Sequence, residues 1–459
     1  MDLQRWAAEA VRAVNAWAAT HGTVDEHPSM TVDDDRFAAA FHEFTHRLGD
    51  NYPFFHPSYA GHMMRAPHPA AAVGHLAAML INPNNHSFEG GPATGRMEQE
   101  SVAQLAAMFG FDTHLGHLTS SGTIANLEAL YIARELSPGK TILFSEEAHF
   151  THSRMCRVLG VQSQTVPVDS HGRMDVDALE RRMRTGQVGT VVATAGTTGL
   201  GAVDPVHDIL EVAQRYGARV HVDAAYGGFY TLLAGASGPA GLAPEPWQAI
   251  ARCDSVVIDP HKHGLQPYGC GAVLFREPSV SRFYVHDSPY TYCTPAALHL
   301  GEISLECSKS GAAAAALWLT LRLLPATRDG LGKVLAACRT AAVSWASLIE
   351  SSALLRLYQQ PELDIVTWLP VTGETTMSGV DAAVEKVFAE ARNAAHPVYL
   401  STFKATRAAF AARHPDLGGD LAEARVVRSV LMKPEFEHYV TDLHMRVEAL
   451  VRAVGAAGP

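Results

Sequence analysis

The sequence predicts an α/β fold, with a large domain built on a mostly parallel sheet and a smaller C-terminal α/β domain. Two observations support this prediction. Between residues 96 and 325, short apolar strands alternate with helical segments, and parallel strands need such crossovers because they all run the same way through the sheet. After Pro325, long helices lead into a second α/β pattern with a strand near 364–369.

Hydrophobic spacing and helix-capping residues define the individual elements. Apolar residues recur every three or four positions over 3–20, which predicts an amphipathic helix, and the Pro- and Gly-rich residues 51–69 predict an extended arm. We divide the chain into an N-terminal helix and arm (1–95), a large domain (96–325) and a small domain (326–459). The large domain has predicted helices at 97–109, 122–136, 175–184, 205–216 and 311–324, and strands at 114–118, 141–145, 162–168, 189–195, 218–222, 255–259 and 271–275.

Composition narrows the class of protein. The chain has 459 residues, 47% of them hydrophobic and 18% charged, which is typical of globular proteins. Its formal charge of −11 favours neither a nucleic-acid nor an anionic-membrane partner. Six cysteines without a CxxC pair indicate free thiols in a reducing compartment, so we expect a cytoplasmic location. The N-terminus lacks the apolar core of a signal peptide, and no apolar run approaches the roughly 18 residues of a membrane span.

A phosphate-binding turn is predicted after the strand at 114–118. Ser121, Gly122 and Thr123 follow this strand and open a helix. The first N–H groups of a helix are free and lie at the positive end of its dipole, which suits a phosphate. An ordinary Ser/Thr helix cap is the alternative. The GxxxxGK[ST] spacing of a P-loop is absent.

Two further strand ends carry ionisable side chains. Asp223 ends an apolar strand and is followed by Ala-Ala-Tyr-Gly-Gly; it either faces a flat ligand or caps the strand. Lys262 follows another strand and lies between His261 and His263. A desolvated lysine beside cationic groups is a nucleophile, whereas the alternative is a solvated loop lysine. The paired histidines lack further ligands at metal spacing, so we expect no metal.

The three features together match the requirements of pyridoxal 5′-phosphate. A lysine binds the aldehyde of this cofactor, a carboxylate keeps the pyridine nitrogen protonated, and a helix N-terminus holds the phosphate. Each feature alone has a common structural explanation. Their convergence at the carboxyl ends of strands, where open parallel sheets bind ligands, favours the cofactor.

The sequence resembles the group II pyridoxal-phosphate-dependent decarboxylases, which include aromatic amino acid, tyrosine, glutamate and histidine decarboxylases. The segments His-Val-Asp-Ala-Ala-Tyr-Gly-Gly at 221–228 and Asp-Pro-His-Lys at 259–262 carry the resemblance. It implies a fold-type I, aspartate-aminotransferase-like homodimer. It also implies that the phosphate is bound by Ser121, Gly122, Thr123 and His261. His149 would stack on the ring near Thr198, and Asp223 would meet the pyridine nitrogen above Ala225. Lys262 would bind the aldehyde.

The resemblance implies decarboxylation of an L-amino acid to the amine and CO₂, with aromatic substrates favoured slightly over acidic ones. Two alternatives keep the cofactor and change the reaction: aldehyde-forming oxidative deamination and aldol-type cleavage. A third alternative is a catalytically silent binding protein. The set of Asp223, His149, His261 and Lys262 argues against it, because drift would be expected to alter at least one of them.

The sequence departs from the family in the region 286–306, where the proton donor is expected. Tyr290 and Tyr292 lie at the start of this shortened region and His299 lies deeper, so Tyr292 and His299 are the candidate acids. A histidine there would favour oxidative deamination. His263 stands where the family commonly has a large apolar residue, and Lys309 stands where it usually has Arg.

Substrate-binding candidates come from the same resemblance. The arm around His56 and Tyr59 is expected to reach a substrate pocket at the dimer interface. Asn85 is a further candidate lining residue, although asparagines in such a segment commonly form turns. Arg428 is predicted either to pair with a substrate carboxylate or to form a structural salt bridge.

Overall fold

The computed structural model describes residues 1–285, 299–371, 373 and 375–456. The helices are α1 (Leu3–Ala19), α2 (Asp34–Leu48), α3 (Pro69–Ile81), α4 (Pro92–Met108), α5 (Gly122–Leu136), α6 (Thr151–Leu159), α7 (Val176–Met183), α8 (Val206–Arg215), α9 (Glu245–Ala249), α10 (Gly311–Leu323), α11 (Leu331–Glu350), α12 (Met377–Ala391), α13 (Arg407–Arg413) and α14 (Phe436–Ala456). The strands are β1 (Leu115–Thr119), β2 (Thr141–Ser145), β3 (Ser163–Val166), β4 (Val188–Thr194), β5 (Arg219–Asp223), β6 (Ser255–Ile258), β7 (Gly271–Phe275), β8 (Leu355–Gln359), β9 (Ile365–Pro370), β10 (Ser401–Thr406) and β11 (Glu423–Val430).

The large domain contains a seven-stranded sheet in the order β1-β7-β6-β5-β4-β2-β3. Only β7 runs against the other strands. Every residue of β4 is buried, because helices cover both faces of the sheet and leave no solvent-facing row. The carboxyl ends of β1, β2, β4, β5 and β6 therefore meet at one edge, as the predicted parallel sheet requires.

The C-terminal domain contains an antiparallel sheet in the order β10-β11-β9-β8. Its core includes Trp345 from α11, Trp368 from β9 and Phe436 from α14. Ala60 of the arm and Leu200 of the large domain belong to the same core. The two domains are thus joined by continuous packing, and this packing brings β9 and β11 close to the edge where the parallel strands end.

The N-terminal region contains more helix than the sequence predicted. Residues 34–48 form α2, capped by Asp33, and the end of the proline-rich segment forms α3, with Pro69 in its first turn and His68 as its cap. Residues 51–68 contain no helix or strand, as expected for an arm. Within the described residues, no helix is long and apolar enough to cross a membrane.

Candidate active site

A cleft of about 220 Å³ lies at the carboxyl edge of the large sheet. Loops after β1, β2, β4, β5 and β6 supply its walls, so residues far apart in sequence meet there. The lining includes every residue predicted to bind the cofactor, together with several that were not predicted. The lining residues are Ser121, Gly122, Thr123, Asn126, His149, Thr151, Thr194, Gly196, Thr198, Asp223, Ala225, Tyr226, Asp259, His261 and Lys262.

The N-terminus of α5 forms one wall of the cleft. Ser121 caps the helix by accepting a hydrogen bond from the Ile124 N–H, at 3.4 Å. A methyl group at Gly122 would lie 2.6 Å from Asp259 Oδ2, so only glycine allows this close approach. The first N–H groups of a helix have no partners within it. This wall therefore offers N–H donors and the positive end of a helix dipole to an anion.

Asp223, which lines the cleft, is paired with the buried side chain of His152. His152 Nε2 lies 2.9 Å from Asp223 Oδ2, and the Ala225 N–H donates to Asp223 Oδ1 at 3.1 Å. Burial acts to raise the pKa of Asp223, but the hydrogen bond and charge of His152, together with the charge of Lys262, outweigh it and lower the pKa. Asp223 is therefore an ionised carboxylate in a site that excludes water.

Lys262 enters the cleft on the loop that follows β6. Its Nζ lies 3.0 Å from Asp259 Oδ2, while His261 Nδ1 donates to the Cys270 carbonyl at 2.8 Å. Burial is the main cause that lowers the pKa of His261. The loop thus presents one primary amine and a neutral imidazole to the same space.

His149 lies at the mouth of the cleft, on the loop after β2. Its Nδ1 accepts a hydrogen bond from the Thr151 N–H at 3.3 Å, and its ring packs against Phe150. Burial is the first cause that lowers the pKa of His149, so the ring is neutral. A neutral, fixed imidazole is suited to stacking on a flat ligand.

Sequence reasoning missed His152 and Asp259 as site residues. His152 follows His149 by three residues and lies in the first turn of α6, directly after the loop that carries His149. That spacing was an available signal for His152. Asp259 belongs to the Asp-Pro-His-Lys segment, but only the tertiary structure shows that its carboxylate meets Lys262.

Two predicted residues have structural roles within the protomer. Asn85 is fully buried, with its amide donating to Glu98 and its carbonyl accepting from Thr94. Because both ends of the amide are engaged, we correct its assignment from substrate binding to packing. His299 is also buried, and its Nδ1 accepts from the Phe88 N–H at the start of a short turn.

The other predicted site residues lie either outside the described residues or on the arm. Tyr290 and Tyr292 lie outside the described residues. His56 and Tyr59 lie on the arm, where His56 Nδ1 accepts from the Ser58 N–H and Tyr59 packs against Phe54. Neither lines the cleft of this protomer.

Arg428 lies between the arm and the cleft. It is 5% exposed, and its Nε and Nη2 have no hydrogen-bond partner within the part of the chain that the structure describes. Its charge interacts with Tyr226, which lines the cleft, with the buried Asp364 and with Tyr59 of the arm. No acidic side chain is hydrogen-bonded to it among the described residues, so the alternative of a structural salt bridge is not seen there and two guanidinium nitrogens keep donors for a carboxylate.

The two single-residue departures from the family pattern, Lys309 and His263, have structural explanations. Lys309 Nζ donates to the buried Glu98 at 2.6 Å and to the Leu118 carbonyl at 3.0 Å, so it holds β1 beside the cleft. His263 is fully buried and pairs with Asp364 of the small domain at 2.8 Å.

The site fits pyridoxal 5′-phosphate. The cleft presents a primary amine, a buried ionised carboxylate and an anion-binding helix N-terminus, and these three groups match the aldehyde, pyridine nitrogen and phosphate. The lack of a side chain at Gly122 lets the helix N-terminus lie close to Asp259, on the loop that carries Lys262. These features define a cofactor site of fold-type I pyridoxal enzymes.

Comparison with known proteins identifies the family. Residues 53–369 match the pyridoxal-dependent decarboxylase conserved domain, and the chain belongs to this family. The L-tyrosine decarboxylase of Enterococcus faecium is 28% identical over 79% of this chain and 77% of its own. The L-2,4-diaminobutyrate decarboxylase of Acinetobacter baumannii is 29% identical over 63% and 64%. The L-aspartate decarboxylase of Thermococcus kodakarensis is 28% identical over 71% and 83%.

Solved structures agree on the fold. The structure of mouse CSAD covers 96% of this chain and 91% of its own, with a TM-score of 0.78 at 21% identity. The Catharanthus roseus tryptophan decarboxylase, solved with L-tryptophan, covers 99% of both chains, with a TM-score of 0.76 at 16% identity. The predicted fold class and cofactor are confirmed, and the protein is a pyridoxal-phosphate-dependent amino acid decarboxylase.

Proposed function

We propose that Lys262 binds the cofactor aldehyde, Asp223 pairs with the pyridine nitrogen, and the α5 N-terminus with His261 holds the phosphate. The convergence of these groups in one cleft is the observation that carries the proposal. When bound, the cofactor supplies an electron sink for the pair of electrons left by CO₂. His149 covers the ring and Thr198 borders it.

The residues of the chain supply orientation and charge. His152 keeps Asp223 ionised, so the carboxylate holds a proton on the pyridine nitrogen throughout the reaction. Asp259 orients the Lys262 amine, which would hold the cofactor aldehyde. The proton donor to the α-carbon is proposed to be Tyr292. The capping position of His299 makes it the weaker candidate.

We propose aromatic L-amino acids as preferred substrates. Arg428 has unpartnered nitrogens for one carboxylate. A second cation, Lys433, is bonded to the Tyr59 carbonyl at 2.6 Å, and burial lowers its pKa to about 7, so it is poorly placed to bind a side-chain carboxylate. The arm residues Tyr52, Phe54 and Tyr59 pack on one another, and we propose that this aromatic arm reaches the substrate pocket at the dimer interface.

We propose that the protein works as a homodimer. Helix α2 has no buried residue, and Phe37, Phe41, Phe44 and Leu48 form an exposed apolar stripe along it. A stripe of this kind is normally covered by a partner. Light scattering on the eluted protein is expected to give twice the chain mass of 49.3 kDa, and a monomer would contradict the proposal.

We infer a cytoplasmic location. Five described cysteines are free thiols, and four of them are buried. Free thiols are typical of reducing compartments. Fractionation of the native cells, followed by detection of the protein, tests this location, and recovery outside the cytoplasm would overturn it.

An absorption spectrum tests the assignment of Lys262. Protein reconstituted with pyridoxal phosphate is expected to show a band near roughly 420 nm that borohydride abolishes. Lys262→Ala is expected to lack this band while keeping its far-ultraviolet circular dichroism. Retention of the band in the variant would refute the assignment.

Product analysis tests the reaction and the substrate. L-Tyrosine, L-phenylalanine and L-tryptophan are compared with L-aspartate and L-glutamate at equal concentrations, with Lys262→Ala as the control. We expect amine and CO₂, with the highest kcat/KM for an aromatic substrate. A higher kcat/KM for an acidic substrate would overturn the substrate proposal. Formation of aldehyde with ammonia and peroxide would show oxidative deamination in place of decarboxylation.

A further inference from the structure

His263, directly after the cofactor lysine, lies in a closed polar cluster beneath the cleft. Its Nδ1 lies 2.9 Å from the Tyr226 carbonyl and its Nε2 lies 2.8 Å from Asp364 Oδ2. The Tyr226 hydroxyl donates to the other oxygen of Asp364. All three residues are buried, with at most 3% of each exposed.

The partners of His263 fix the orientation of its ring. A carbonyl oxygen only accepts hydrogen bonds, so Nδ1 donates to Tyr226. Burial acts to raise the pKa of Asp364, but the charge and hydrogen bond of His263 outweigh it and lower the pKa, so this carboxylate is ionised. Nε2 is paired with this carboxylate, so both ring nitrogens are engaged.

The cluster connects two walls of the cleft to the small domain. Tyr226 belongs to the turn after Asp223, His263 belongs to the loop of Lys262, and Asp364 directly precedes β9. The His263 ring also packs edge-on against Tyr226 and Tyr230, with centroids 4.6 Å and 5.1 Å away. These contacts leave the ring little freedom to move.

The residues that follow His263 in the loop of Lys262 are also tightly packed. A methyl group at Gly264 would lie 2.7 Å from Pro260 Cα and 2.8 Å from the Phe229 ring. Leu265 has a φ of 64°, a left-handed conformation that is unfavourable for leucine and needs support from its surroundings. The backbone after Lys262 is thus held in a strained conformation that the His263 contacts are placed to maintain.

We propose that His263 is a positioning residue for Lys262. Its two hydrogen bonds, to the Tyr226 carbonyl and the Asp364 carboxylate, fix the loop that carries Lys262 relative to the turn that carries Asp223. The amine and the carboxylate must meet opposite ends of one rigid ring, so their relative placement decides how well the cofactor binds. This inference rests on the proposed role of Lys262.

Two variants test the proposal. His263→Phe keeps an aromatic ring of similar size and removes both hydrogen bonds. The double variant His263→Phe with Asp364→Asn also removes the uncompensated charge and keeps an acceptor for the Tyr226 hydroxyl, so it is the variant expected to fold well. We expect both to weaken pyridoxal phosphate binding by about tenfold and to lower kcat more than they change KM. The visible circular dichroism per bound cofactor, which reports the orientation of the ring, is expected to fall by about half.

His117→Phe is the matched control. His117 and Glu128 also pair a buried histidine with a buried acidic side chain, 2.9 Å apart, and neither lines the cleft. The control is expected to lower the Tm without changing cofactor affinity or the visible dichroism. If the His263 variants also change only the Tm, the positioning role is refuted.

The two proposals fail in different ways. Absence of the borohydride-sensitive band in the unsubstituted protein would remove the assignment of Lys262, and with it this inference. A normal band in that protein, combined with unchanged cofactor affinity and dichroism in the double variant, would remove only the role of His263.

Discussion

Replacement of His152 by Phe tests how the active site keeps Asp223 ionised. His152 Nε2 donates to Asp223 at 2.9 Å, and both side chains are buried. A hydrogen bond to a charged group contributes about 1.5–3 kcal/mol. Because 1.36 kcal/mol corresponds to one pKa unit, its loss is expected to raise the pKa of Asp223 by roughly one to two units.

Loss of this hydrogen bond is expected to reduce the rate. The roughly 1.5–3 kcal/mol that it contributes to holding the charged carboxylate corresponds to a fall in kcat of about 10- to 100-fold. The rate of CO₂ release is measured from pH 5 to pH 9 with saturating cofactor. His152→Phe is expected to lose activity further at the acid end, where the lowered pKa of Asp223 protects the unsubstituted protein.

His152→Gln is the control for this experiment. The glutamine amide reaches about as far as the histidine Nε2 and keeps one donor without a charge. We expect it to recover part of the lost rate. A His152→Phe variant that binds cofactor and keeps kcat within about twofold of the original at every pH would refute the reasoning, because Asp223 would then be ionised without His152.

Three further predictions follow from the described contacts. Gly122→Ala is expected to weaken cofactor binding by about tenfold in a titration, because its methyl group would meet Asp259 at 2.6 Å. Gly455→Ala is the control: no atom lies within 4 Å of the added methyl group, so cofactor affinity should not change. Burial raises the pKa of Glu128 from 4.5 to about 8. The contribution of protonated Glu128 to the free energy of unfolding is therefore complete below pH 4.5. It is lost as the pH rises to 8, by up to about 1.4 kcal/mol per pH unit. Glu128→Gln is expected to flatten this decline in urea unfolding, and an unchanged pH dependence would contradict the assigned pKa. Arg428→Gln is expected to raise KM by about tenfold or more with a smaller change in kcat, and an unchanged KM would exclude its contact with substrate.

The sequence determined the parts of the fold that depend on local pattern. Apolar strands alternating with helices predicted the parallel sheet, and most boundaries in the large domain agree within a few residues. The helix α2 was missed although Phe37, Phe41, Phe44 and Leu48 repeat every three or four residues, which was an available signal. The antiparallel order of the C-terminal sheet was not predicted, since strand pairing depends on contacts distant in sequence.

The sequence by itself also indicated Lys262, Asp223 and the turn at 121–123, because each lies at a strand end and has a side chain or backbone suited to one part of the cofactor. Only the tertiary structure shows which groups set the charge of Asp223 and the position of Lys262. His152 reaches Asp223 from 71 residues away in sequence, and Asp364 reaches His263 from 101. The same folding buried both amide ends of Asn85 in a structural network. Ionisation and burial are properties of the surroundings of a group, and in this protein those surroundings are assembled from distant segments of the chain.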